Sequence, residues 1–349
     1  MDDLSWLFEN LWNIGDAWEH VLSFQSLEEL SKARLTSKHF VDNSSSQFPF
    51  PANIWEKFIR KGTIHVHVNA RIATLPLAIK YMEKLHGYNF QSFAHICTIT
   101  KIIVGAGTYE IPTHPPSEEE SEQGVGSWPG NNNCLEIKNS VIITGQGSNN
   151  TTIIGGFIIK NEESKESGGT ATTHLTVKGV LLEGSLRSAV DARAGTSFDF
   201  NEAVACRCKN FAINAVEGVV GTIESSQIFD CCKGGVCVEG NGKITIKGNT
   251  KVFRNNTKKY DQHKDLWENE NYDDYGLDVV DPESTIHIVA PLSLKKVTVN
   301  NHPIPNPANQ RNFGGSGKIN IVDSEGGITE TINLPNINID GSPRTEDEE

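Results

Sequence analysis

A short pattern returns every 22 to 24 residues through the middle of this chain, and it limits the fold more than any other feature. Ala189-Val190-Asp191-Ala192-Arg193-Ala194-Gly195 is echoed 23 residues on by Ala212-Ile213-Asn214-Ala215-Val216-Glu217-Gly218. Val216-Glu217-Gly218 returns after 22 as Val238-Glu239-Gly240, while Cys208-Lys209 and Ile228-Phe229 return after 24 as Cys232-Lys233 and Val252-Phe253. Between and around these echoes lie short β-branched runs at Ile99–Val104, Val141–Thr144, Thr152–Ile159, His174–Leu182 and Ile244–Lys247. Gly, Asn and Asp separate them, as turn formers separate strands. A period this short, made of strands with no helix between them, predicts a parallel β-helix, mainly β, whose coils stack about 4.8 Å apart. A β-sandwich does not repeat its sequence coil by coil.

The first sixty residues have a different texture. Trp6, Leu7, Leu11 and Trp12, then Trp18, Val21, Leu22, Phe24, Leu27, Leu30 and Leu35, recur every three or four positions among polar residues. That spacing predicts amphipathic helices, in a unit too small to hold a large core of its own. A further helix is expected over Leu75–Leu85, with Leu77, Ala78, Tyr81, Met82 and Leu85 on one face, capping the N-terminal end of the solenoid. Three stretches read as insertions: Pro112–Asn133, Tyr260–Asp281 and His302–Gly317. The expected organisation is a helical unit over 1–62, the solenoid over 63–335 and a disordered acidic tail over 336–349.

Composition narrows the partners. Lys plus Arg number 31 against 44 Asp plus Glu, a net charge of −13 that argues against nucleic acid and anionic membrane surfaces. No stretch approaches the roughly 18 consecutive apolar residues of a spanning helix. The seven cysteines cannot all pair with one another, and Met1-Asp2-Asp3-Leu4-Ser5-Trp6 is acidic where a secretory leader begins positive. The expected location is therefore reducing and intracellular, cytoplasmic or nuclear.

Residues 18–42 resemble an F-box. Val21-Leu22 stands for its hydrophobic pair, followed by Ser23-Phe24, Ser26-Leu27-Glu28-Glu29-Leu30, Leu35-Thr36-Ser37-Lys38 and Phe40. Ile54-Trp55-Glu56-Lys57-Phe58 is similar to its closing element, while Asn13-Ile14 replaces the opening Leu-Pro and Gln25 a usual Leu. The resemblance implies a three-helix unit that docks on the adaptor subunit of a cullin–RING ubiquitin ligase, through Val21, Leu22, Leu27, Leu30 and Leu35. The alternative is that these helices only cap the solenoid.

The remainder, roughly 70–325, resembles the right-handed, pectin-lyase-like β-helix superfamily. Ala78-Ile79 and Lys101-Ile102-Ile103-Val104-Gly105-Ala106-Gly107-Thr108-Tyr109 are similar to its opening helix and first strand. Val141-Ile142-Ile143-Thr144-Gly145-Gln146-Gly147 and Thr152-Ile153-Ile154-Gly155-Gly156 are similar to its coils. The two resemblances together imply a non-enzymatic substrate receptor whose solenoid binds an unknown target protein. The alternatives are a glycan-binding or glycan-cleaving protein and a scaffold without a ligase role.

Residues that could carry chemistry point less clearly. Asp273-Asp274, with Asp278 and Asp281 nearby, is the best acidic candidate for glycan hydrolysis, but adjacent strand residues face opposite ways. Cys206-x-Cys208 and Cys231-Cys232, with Cys237, lack the spacing of zinc ligands. The 24-residue step from Cys208 to Cys232 reads as stacked interior thiols. His65 and His67 share a strand face without a third ligand. Gly314-Gly315-Ser316-Gly317-Lys318 lacks the first Gly of a phosphate loop and has Ile319 where Ser or Thr belongs. Asn149, Asn150 and Asn255 lie in Asn-x-Thr sequons. No catalytic residue, cofactor or metal ligand is expected.

Overall fold

The computed structural model describes residues 63–66, 74–87, 100–114, 132–161, 172–255, 275–299, 301 and 312–334. Strand β1 (Thr63–Val66) and helix α1 (Leu75–Gly87) come first. Three-strand coils follow. Strands β2 (Lys101–Val104), β3 (Gly107–Glu110) and β4 (Cys134–Ile137) make the first. The second is β5 (Val141–Thr144), β6 (Thr151–Ile154) and β7 (Gly156–Ile159), and the third β8 (His174–Lys178), β9 (Leu181–Glu183) and β10 (Val190–Ala192). Next come β11 (Ser197–Asn201), β12 (Val204–Cys206), β13 (Ile213–Ala215), then β14 (Val220–Glu224), β15 (Gln227–Phe229), β16 (Val236–Val238). Two more coils are β17 (Lys243–Lys247), β18 (Lys251–Phe253), β19 (Leu277–Val279) and β20 (Thr285–Val289), β21 (Thr298–Val299), β22 (Phe313–Gly315). A short helix, α2 (Leu294–Val297), lies between β20 and β21, and β23 (Lys318–Val322) and β24 (Ile328–Asn333) end the described chain.

Every third strand pairs with the equivalent strand of the next coil, always in parallel, so the chain is mainly β and winds through three long sheets. The first sheet has ten strands, running from β1 and β2 through β5 to β23 and β24; the second runs from β3 to β21 and the third from β4 to β22, with seven each. The first sheet steps from His174 to Ser197, Val220 and Lys243, 23 residues each time. One extra residue enters between Gln227 and Lys251, which accounts for the 24-residue echo of Ile228-Phe229. The 22-residue echo is not the register: Ala215 pairs with Val238, so Val216 lies beside Glu239.

Alternate residues of each strand enter one continuous core, as a period of two requires. Leu175, Phe198, Gly221, Ile244, Ile286 and Ile319 form one interior row of the first sheet; Val177, Phe200, Ile223, Ile246 and Ile288 form another. Helix α1 adds Leu75, Ala78, Ile79 and Met82 to the same core, standing in chain order where a coil's second and third strands would be. The apolar stripe is thus set one position off the Leu77-centred face expected. At the other end β24 lies antiparallel on β23, and Leu334 is buried behind it.

Two expected insertions are corrected in part. Leu277–Val279 falls inside Tyr260–Asp281 and Phe313–Gly315 inside His302–Gly317, yet both are strands of the third sheet. Their parallel ladders with β16 and with each other outweigh the polar, Gly-rich sequence around them. The run Thr152–Ile159 is two strands turned at Gly155, whose φ of +131° an L side chain rarely adopts. The strands at the root of the Pro112–Asn133 stretch are joined by reciprocal His114–Asn132 backbone hydrogen bonds of 2.8 Å.

The corner after the second sheet carries a buried polar stack. The Asn255 side-chain carbonyl accepts from the Cys231 N–H at 3.1 Å, and its amide donates to the Ile228 carbonyl at 3.2 Å and to Asn301 Oδ1 at 2.9 Å. Asn301 Oδ1 also accepts from the Asn255 N–H, so each side chain closes the turn of the coil before it. Asn255 is fully buried, which explains why this sequon is a structural residue.

Candidate recognition surface

Val21, Leu22, Leu27, Leu30 and Leu35 lie outside the described residues, as do Asp273, Asp274 and His67; so does the side chain of His65. What the structure does place are the three outer faces of the stack, and they differ in chemistry.

The first sheet turns a polar face outward. His174, Ser197, Val220, Lys243, Thr285 and Lys318 form one outer row; Thr176, Asp199, Thr222, Thr245, His287 and Asn320 form the next. Charges on adjacent coils pair: Asp199 with His174 at 3.3 Å, Glu224 with Lys247 at 3.1 Å, Glu202 with Lys178 at 3.4 Å. These are solvated cross-strand pairs, each worth little. Burial, then Lys243, holds the His287 imidazole below its usual range.

The third sheet behaves differently. Its outward row is Glu136, Ile158, Asp191, Asn214, Cys237 and Asp278. Ile158 and Asp191 are each 1% exposed, so this row is covered although it points away from the core. The Asp191 carboxylate accepts from Arg193 at 2.6 Å and from the Asn214 amide at 3.1 Å, with Arg187 at 3.5 Å. Glu239 sits at the end of this row. Burial lifts its carboxyl above the usual range; Arg193 opposes the shift, and Asp281, Asp191 and Glu217 reinforce it. Asp281 itself caps the turn: burial disfavours its charge, but the N–H groups of Gly240, Ser284 and Asn241 and the Ser284 hydroxyl hold its carboxyl below the usual range.

The raised Glu239 carboxyl has a consequence for stability. A carboxyl whose folded pKa exceeds its unfolded value takes up protons on folding, so stability falls as pH rises from the unfolded value through the folded one. At neutral pH the penalty is fully present. Glu239→Gln is therefore expected to raise the melting temperature at pH 7, with the gain shrinking toward pH 4; a thermal denaturation series across that range measures it.

The second sheet is the aromatic face. Its outer rows are Thr152, Leu181, Val204, Gln227 and Lys251, and beside them Ile154, Glu183, Cys206, Phe229, Phe253 and Val299. The rings of Phe229 and Phe253 stack at 5.1 Å and 23°. The Arg254 guanidinium lies 5.5 Å from one centroid and 5.3 Å from the other, and pairs with Asp230 at 2.9 Å. Arg207 pairs with Glu183 at 2.6 Å in the same way two coils earlier.

All six described cysteines are free and buried, in line with interior thiols. The register corrects their pairing: Cys206 faces Phe229, so Cys208 stacks on Cys231 and not on Cys232. The bond to Cys231, then burial, pushes the Cys208 thiol well up. Burial pushes Cys134 up to about 12 and Cys206 to about 11, which leaves little thiolate for reaction. Among the described residues no three His, Cys, Asp or Glu stand together as a metal-holding group. No described helix is long and apolar enough to cross a membrane.

The faces define a chain of stacked parallel β coils with one polar, one covered and one aromatic side. No family model, no curated protein and no solved structure matches it.

Proposed function

We propose that this chain is an intracellular substrate receptor of a cullin–RING ubiquitin ligase. Residues 1–62 recruit the adaptor subunit, and the solenoid presents a rigid face to a target protein. The observation that carries the reading is the joining, in one chain, of the Val21-Leu22-Ser23-Phe24 and Ser26-Leu27-Glu28-Glu29-Leu30 pattern to a long parallel stack. A helical segment this short that alternates apolar and polar residues calls for a partner to cover its apolar side. A stack of regular coils suits recognition, because the position of each outer side chain follows from the coil spacing rather than from loops. The finer fold that belongs with this reading is the right-handed parallel β-helix, since a strand, a crossover and a parallel strand in one sheet turn right-handed almost without exception.

Calorimetry with a purified ligase adaptor subunit and the full chain tests the proposal. Micromolar or tighter binding is expected, lost in a folded Leu22→Asp, Leu30→Asp double variant. A folded wild type that does not bind the adaptor would overturn it.

A further inference from the structure

We infer that the outer face of the second sheet is where the solenoid takes its target, and that the target segment is an acidic peptide carrying an aromatic or aliphatic side chain. The inference rests on the receptor reading and names the face and the chemistry of its occupant.

The other two faces leave this one. Charges on the first sheet satisfy one another between coils, and the outer row of the third is covered at Ile158 and Asp191. On the second sheet Phe229 and Phe253 are partly exposed, and the row continues to Val299, 37% exposed and in register with Phe253. Stacked aromatics beside arginine are the groups that most often dominate protein interfaces.

Charge decides the occupant. Arg254 exposes 56% of its side chain while its partner Asp230 exposes 22%; Arg207 exposes 48% and Glu183 25%. An approaching chain therefore meets guanidinium forks held in place by recessed carboxylates, with exposed Lys251 alongside. The forks keep N–H donors directed outward, and the rings beneath Arg254 hold it flat. This cationic strip stands out on a chain whose net charge is −13.

Backbone conformation gives an independent reason to look here. Arg207, Asp230 and Arg254 follow equivalent strands with φ of +56°, +56° and +53°, a region that favours glycine. The preceding coil does place glycine there, Gly184 at φ +64°. Nothing in the turn requires a side chain, so those three are present for what their side chains contact.

That contrast supplies the test. Arg254→Gly suits the backbone, and its melting temperature is expected at or above wild type. Random dodecapeptides displayed on phage are selected on the full chain and on R254G. Wild type is expected to enrich Asp and Glu several-fold around an aromatic or large aliphatic residue, and R254G to lose that enrichment. Selected peptides should bind R254G at least tenfold more weakly, with wild-type affinity falling as salt rises. No acidic enrichment on wild type, or the same enrichment on R254G, overturns the inference. Adaptor binding by R254G is measured in parallel: peptide selection without adaptor binding would retain this face and remove the ligase role, while the reverse would retain the role and remove the face.

Discussion

Replacing Asn255 by Leu is expected to cost roughly 2–6 kcal/mol, because it leaves two fully buried backbone groups without partners, each worth about 1–3 kcal/mol. Asn255 Oδ1 is the acceptor for the Cys231 N–H and its Nδ2 the donor to the Ile228 carbonyl. Cys231, Ile228 and Asn255 are all fully buried, so water does not reach the orphaned groups. Asn301 loses one donor but keeps the Asn255 N–H, which limits the damage on that side. Leu resembles Asn in volume, so the loss reports the hydrogen bonds and not a cavity. Urea unfolding followed by circular dichroism gives the size. Hydrogen exchange should show protection lost first around β15 and β18, whose corners Asn255 ties together.

Phe198→Ala is expected to cost about 3–5 kcal/mol, the usual range for emptying a buried aromatic site. The second half of the prediction is more specific. Phe198 pairs in register with Gly221, and a Cβ built on Gly221 would stand 2.3 Å from Phe198 Cζ and 2.7 Å from Ile244 Cδ1. The ring occupies the room that glycine leaves. Gly221→Val alone should therefore destabilise by overpacking, about 1–3 kcal/mol. Combined with Phe198→Ala, the valine has space, and the double variant should be more stable than the sum of the singles by at least about 1 kcal/mol. Unfolding midpoints of the four proteins close the cycle. Additive losses would mean that the two positions do not share this space.

How far the sequence alone could reach differs from residue to residue. The 23-residue echo of Val190-Asp191-Ala192 in Ile213-Asn214-Ala215 is the pairing of β10 with β13, and the repeat of Ile228-Phe229 in Val252-Phe253 is that of β15 with β18. Repetition was legible because each coil meets the same neighbours above and below. Leu277–Val279 and Phe313–Gly315 were not, because three residues are too few for an alternation to show. Gly221 reads as a strand breaker until Phe198 is seen beside it. The aromatic face had a signal, a Phe at the same place in consecutive repeats followed by Asp or Arg. Its outward direction follows only once Ile228 and Val252 are known to be the inward partners.

By itself the sequence determined the class of the fold, since a short strand period lets coils stack in parallel with like residues on like. It also determined the burial of the thiols, whose apolar surroundings repeat from coil to coil. The tertiary structure decided what local pattern does not contain: which register each coil adopts, and hence that Cys208 meets Cys231. It decided as well that Asp191 points outward and is still covered, and that Phe229, Phe253 and Arg254 come together on one exposed face. Those outcomes depend on contacts between residues one or more coils apart, and single-residue shifts such as the one between Gln227 and Lys251 change them without altering the repeat.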